Sequence, residues 1–333
     1  MTYRQRSRLH PNLKFVTRNW WYDPWLNEFG YRFPTYEPTQ FRDLRWDFHE
    51  PDSYATLVAE RTPGIFASSG EKAFHRAVAG GDPHAMDLAA GQHPEYRDVA
   101  DALAGLMSIR TYRSRSMEFL ERAVRNGTEP AEDPFISTYL PDAGITVPVA
   151  PGVVVHLPIM RTSLALTLAE LLQEVDQASA AIDVLRLVEP TTHVRLSLVE
   201  LLCQTGQFDT VVEITRGARN DDDVTALTIA FRAIALRESG DRLGADEALD
   251  EAMAYPNRAP EIRHLARVQR ALLAAEEGKR LTATVELEAV LAENPDHRAA
   301  ADLLASLRTS VEDRRRGGPT PTAQPGSPNH QGA

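Results

Sequence analysis

The sequence of 333 residues predicts a mainly α protein: an α-solenoid of helix–turn–helix repeats, with an irregular aromatic-rich N-terminal arm and a short β-hairpin insertion. Three observations predict it. Between Thr162 and Leu307, Gly206 and Gly240 lie 34 residues apart, as do Val211 and Ala245, and Ala218 and Ala252. A fixed period of this size marks an array of stacked helical pairs. All four tryptophans fall between Trp20 and Trp46, among prolines that forbid a long helix. A stretch rich in proline and β-branched residues interrupts the helical pattern after residue 130.

Taken in order, residues 1–64 form the basic and aromatic arm. Residues 1–18 hold five basic side chains (Arg4, Arg6, Arg8, Lys14, Arg18) and no acidic one. The short runs on either side of Pro11-Asn12 read as a small hairpin. Trp20, Trp21, Trp25 and Trp46 follow, interleaved with Tyr22, Phe29, Tyr31, Phe33, Tyr36, Phe41 and Phe48. Each ring buries roughly 150–250 Å² when covered, so the segment is built to dock on a surface, either a partner's or the helical array's own. Residues 65–130 read as two degenerate helical pairs. EKAFHRAVAGG goes with PHAMDLAAGQ, and YRDVADALAGLMSIR with SRSMEFLERAVRNG. Residues 131–158 read as the β-hairpin insertion, with Pro151-Gly152 as the turn and ITVPVA and VVVHLPI as strands. Pro148 and Pro158 keep those strands at an edge. Residues 159–310 carry the repeats, and residues 311–333, polar and rich in Gly, Pro and Ser, are expected to be disordered.

Within the repeats, each unit reads as a first helix, a turn glycine, a second helix and often a proline. Gly206, Gly240 and Gly278 are the turns, since a helix ends most cheaply with glycine at positive φ. The first unit, ending at Pro190, has no such glycine and carries Ala178 where the next unit carries Val211.

These units resemble the tetratricopeptide repeat, through the turn glycines, the small residues Ala178, Ala245 and Ala283, the aliphatics Ile182, Leu249 and Leu287, and Ala218 and Ala252. The resemblance covers about 150 residues, and the helix-A aromatic of the family pattern is missing. It implies a groove lined by the first helices. The groove positions fall at His193, Leu196, Ser197 and Glu200 in one unit, Phe231, Ile234 and Arg237 in the next, and Val268 and Gln269 in the last. Family members that clamp a peptide carboxylate use lysine and asparagine there, and this chain has neither. A mixed apolar surface with Glu200 and Arg237 suits an amphipathic protein or peptide segment, one from this same chain included.

The formal net charge is −11, and the repeats carry most of the excess acid, which does not suit a nucleic-acid backbone. The single cysteine, Cys203, excludes an internal disulfide and reads as a packed helix residue. No run approaches the roughly 18 apolar residues of a membrane span, so no membrane partner is expected. The basic start lacks the apolar stretch of a secretory signal, which points to the cytoplasm. Three lysines against 33 arginines suggest a GC-rich bacterial genome.

Sequences that would cradle a phosphate, activate a serine or hold a metal are missing. His75, His84, His93, Asp82 and Asp87 match no ligand spacing, and Asp221–Asp223 read as a helix start. No catalytic residue, cofactor or metal is expected. The reading is a non-catalytic scaffold or adaptor that binds a protein or peptide through the groove, through Trp20, Trp21, Trp25 and Trp46 of the arm, or both. The alternatives are a nucleic-acid-associated regulator using Arg4, Arg6, Arg8 and Lys14, and an enzyme with a site between arm and helices.

Overall fold

A computed structural model describes residues 51–150 and 153–316. It is mostly helical, with neighbouring helices packed in pairs and one small antiparallel sheet. The chain divides into two compact units, residues 1–266 and 267–333.

In the first unit, helix α1 (Pro51–Ala59) occupies positions expected to belong to the irregular arm. It packs on α2 (Ser69–Ala79), which pairs in turn with α3 (Pro83–Gln92). Ser68 and Asp82 cap α2 and α3 by accepting from the Glu71 and His84 amides, as short polar side chains do at helix starts. His75 Nε2 lies 2.9 Å from the Val58 carbonyl and 2.8 Å from that of Arg61, so its ring ties α2 to the end of α1.

Helices α4 (Arg97–Ser108) and α5 (Arg113–Asn126) cross closely. Gly105 permits the approach: a Cβ there would meet Leu120 side-chain carbons at 2.8 Å. Ser116 Oγ donates to the Gly105 carbonyl at 2.7 Å across the same crossing. Asp101, 1% exposed, accepts two bonds from Arg122, at 2.7 and 3.1 Å. That bidentate geometry is what a buried carboxylate requires.

Residues expected to begin the hairpin insertion instead form a short helix, α6 (Pro134–Tyr139). Pro134 suits its first turn, and Asp133 caps it by accepting from the Phe135 amide at 2.7 Å. Phe135 and Tyr139 then join Phe74 and Tyr96 in an aromatic cluster, with Phe74 stacked on Tyr96 at 5.0 Å. Tyr139 donates to Glu71 at 2.6 Å; burial and that carboxylate push its phenol up to about 12.

The strands are β1 (Gly144–Ala150) and β2 (Val153–Pro158), antiparallel, with Gly144 opposite Pro158 and an irregularity between Pro148 and Ala150. Both strands are edges, which is why their prolines are tolerated. A lone hairpin is marginal in water. Here β1 lies against α7 (Arg161–Glu174) and α9 (Thr192–Gln204), burying Ile145, Val147 and Val149.

From α7 onward the helices alternate. Helix α8 (Ala178–Leu185) follows α7, α10 (Phe208–Ile214) follows α9, and α12 (Arg242–Ala252) follows α11 (Asp223–Glu238). Each second helix packs on its first, while α9 packs along α11 and touches α7 only briefly. Helix α13 (Pro260–Glu276) begins the last pair.

The turns share one geometry. Gly206, Gly240 and Gly278 have φ of 71°, 86° and 78°, and the first pair places Asp176 in the same region at 59°. The residue after each donates to the carbonyl five positions back: Gln177 to Leu172, Gln207 to Leu202, Asp241 to Leu236 and Lys279 to Ala274, at 2.8–2.9 Å. This is the 6→1 bond of a Schellman cap. Registering on Asp176 moves the small packing residue of the first pair from Ala178, half-buried, to Ala181, fully buried. Its counterparts are Val211, Ala245 and Ala283, each at most 1% exposed.

In the second unit, α14 (Arg280–Glu293) packs on α15 (Arg298–Arg316), and Arg267 pairs with Glu286 at 2.9 Å. Helix α15 continues to Arg316, past residue 311 where a disordered tail was expected to begin.

Candidate partner-binding face

The shared turn fixes equivalent positions along the first helices. Nine, six and three residues before it stand Thr167, Glu170 and Gln173 on α7, Ser197, Glu200 and Cys203 on α9, and Phe231, Ile234 and Arg237 on α11. Because α9 packs on α11 and touches α7, these rows make up an array of three equivalent positions on each of three successive first helices. Five of the groove residues expected from sequence (Ser197, Glu200, Phe231, Ile234 and Arg237) belong to it. Leu196 stands one place before Ser197 and is fully buried. His193 lies a turn earlier and is half-buried. Burial lowers its pKa, against the opposing pull of the Asp222 carboxylate.

The array is not open. Ser197, Glu200 and Phe231 have no exposed surface, Glu170 is 3% exposed, and Arg237 is 8% exposed. On α7 every residue from Thr162 to Leu172 is buried. Two-layer packing against the second helices cannot cover a helix all round, and β1 supplies cover on α7 and α9. Val268 and Gln269, on α13 in the second unit, are buried too, at 2% and 4% exposure.

Chemically the array is acidic with an apolar corner. Cys203 Sγ lies 3.8 Å from the Phe231 carbonyl. Burial raises its thiol pKa, and the Glu200 and Glu238 carboxylates raise it further. An unreactive packed thiol results. Arg237 donates to Glu238, and Glu174 at the end of α7 pairs with Arg113 at 2.7 Å. Thr167 Oγ1 turns back to the Ser163 carbonyl at 2.8 Å. Ser197 Oγ and both polar atoms of the Gln173 amide are buried without a hydrogen-bond partner among the described residues.

Thr167, Glu170 and Gln173 were not among the groove residues expected from sequence. The first pair offers no glycine to set its register, and the aspartate that replaces it was the one available signal.

The other polar clusters have structural roles. Asp222 caps α11 by accepting from the Thr225 amide at 2.8 Å, while Thr225 Oγ1 accepts from the Asp222 amide at 3.0 Å. Asp82 caps α3, and Asp87 pairs with Arg97 at 2.6 Å. Among the described residues, no three His, Cys, Asp or Glu side chains converge as a metal site would need, and no helix is long and apolar enough to cross a membrane. Trp20, Trp21, Trp25, Trp46, Arg4, Arg6, Arg8 and Lys14 lie outside the described residues. Compared with protein-family models and with curated proteins, the chain matches none.

Proposed function

We propose that the protein is an interaction scaffold, a solenoid of tetratricopeptide-like pairs whose first helices receive an extended protein or peptide segment. The observation that supports this reading is the repetition of one turn, with the same 6→1 bond, at Asp176, Gly206, Gly240 and Gly278. Repeated turns set first helices side by side, and such rows present equivalent side chains at regular intervals to an extended ligand.

The test is affinity capture with the full-length chain and with Arg237→Glu and Glu200→Arg variants, reading retained proteins by mass spectrometry. A partner kept by the native chain and lost by both variants supports the face as the binding site. Identical sets from all three chains refute it. If nucleic acid is retained in place of protein, with salt-sensitive binding lost on reversing Arg4, Arg6, Arg8 and Lys14, the regulator reading replaces it.

A further inference from the structure

We propose that the turn carrying Ile65 and Phe66 is an intramolecular docking point for residues 20–48 of this chain, the segment that holds its tryptophans.

The turn joins α1 to α2. The Ala67 amide donates to the Gly64 carbonyl at 3.0 Å, so residues 64–67 close a β-turn with Ile65 and Phe66 at its two corners. Such corners ordinarily carry glycine, proline, asparagine, aspartate or serine. Here they carry the two most exposed large apolar side chains among the described residues, Phe66 at 95% and Ile65 at 85%. The turn is also pinned. Lys72 Nζ, from the start of α2, donates to the Ile65 carbonyl at 3.3 Å, and Ser68 caps α2 directly after the turn. A single exposed apolar side chain is ordinary on a protein surface. Two adjacent ones on a pinned turn are preorganised, so docking against them costs little further ordering.

The occupant follows from where the rest of the chain joins and what it carries. Helix α1 starts at Pro51 and is 9 residues long, about 13 Å. From Ala59 to Phe66 the chain spans at most about 23 Å. The turn therefore lies within about 36 Å of Pro51, a gap that about eleven extended residues close. Residues 20–48 reach well past it. They hold 11 of the chain's 24 aromatic residues, and each ring buries roughly 150–250 Å² when covered. Tethering keeps them at a local concentration on the order of mM, an advantage that no separate molecule has. An outside partner of the aromatic segment must then displace it from the turn.

All four tryptophans lie in this segment, so tryptophan emission from the full-length protein reports it alone. Acrylamide quenching of that emission is expected to rise at least about twofold in an Ile65→Ser/Phe66→Ser variant. Serine suits a turn corner, so the helical circular dichroism should not change. Leu281→Ser, which removes an apolar side chain 79% exposed on α14, is expected to leave quenching at the native value. Equal quenching in the native and Ile65→Ser/Phe66→Ser chains overturns the proposal, as does an equal rise in Leu281→Ser. So does protection that disappears on dilution together with a two-chain species seen by light scattering, which gives the turn to a second copy.

A second measurement leaves Ile65 and Phe66 in place. A Cβ at Gly64 meets nothing within 4 Å, and Cys203 is buried, so Gly64→Cys puts one accessible thiol on the turn. Its alkylation is expected to speed about threefold when Trp20, Trp21, Trp25 and Trp46 are replaced by serine. An unchanged rate overturns the proposal. No residue of α7, α9 or α11 enters either measurement, so both outcomes are independent of the scaffold reading.

Discussion

The left-handed turns give the cleanest quantitative test of the repeat geometry, because at Gly206 and Gly240 the backbone alone decides the outcome. A Cβ added at either position meets nothing within 4 Å, so no packing clash enters. What remains is the φ of 71° and 86°. An L-residue held there loses roughly 1–2 kcal/mol, offset by about 0.4–1 kcal/mol because alanine has a less flexible unfolded state than glycine. Gly206→Ala and Gly240→Ala should each destabilise the protein by about 1 kcal/mol. Asp176, at 59°, is the contrast. Aspartate tolerates this region better than most residues, so Asp176→Gly should fall within about 0.5 kcal/mol of neutral. Asp176→Val, β-branched, should again cost about 1 kcal/mol or more. Urea unfolding followed by circular dichroism reads this directly: with a slope near 3 kcal/mol per M, 1 kcal/mol moves the midpoint by about 0.3 M. A neutral Gly206→Ala, or an Asp176→Gly that loses more than about 1 kcal/mol, would refute the shared turn.

Further outcomes follow from the packing around the pairs. Arg122→Leu should destabilise by about 3 kcal/mol, the low end for a broken buried pair because Arg122 is 42% exposed while Asp101 is 1% exposed. The Asp101→Leu/Arg122→Leu double variant should recover much of that loss in the same unfolding assay. Gly105→Ala should cost about 1–3 kcal/mol, since the added methyl drives into Leu120 at the α4–α5 crossing; wild-type stability would mean the helices can part freely. His193 has a folded pKa below its ordinary value, so its neutral form is the one the fold favours. Its contribution is full above the unfolded pKa of about 6.5 and is lost as pH falls through the lower folded value. Unfolding midpoints should therefore drop between about pH 7 and pH 5, and His193→Gln should flatten that slope. An identical pH profile in the variant would place the dependence elsewhere.

The sequence by itself determined the helical pairs and most of their limits, because the features that set them are local. Gly206, Gly240 and Gly278 stop helices through their own backbone freedom. Ser68, Asp82 and Asp222 start helices with a side chain that reaches two or three residues ahead. The hairpin strands were equally legible from ITVPVA and VVVHLP, since edge prolines and β-branched residues act within the strand. Tertiary structure decided the rest. Asp176 takes the left-handed turn between α7 and α8, a conformation that aspartate tolerates but signals less plainly than glycine, and that choice makes Ala181 the packing residue. Pro134–Tyr139 coils into a helix because Phe135 and Tyr139 gain the aromatic cluster around Phe74, a partnership across some 60 residues of chain. Glu200 and Arg237 read in sequence as groove residues on a mixed apolar surface, and Glu170 carries no such signal. In the structure all three are buried, with β1 laid over α7 and α9, because burial depends on neighbours distant in sequence.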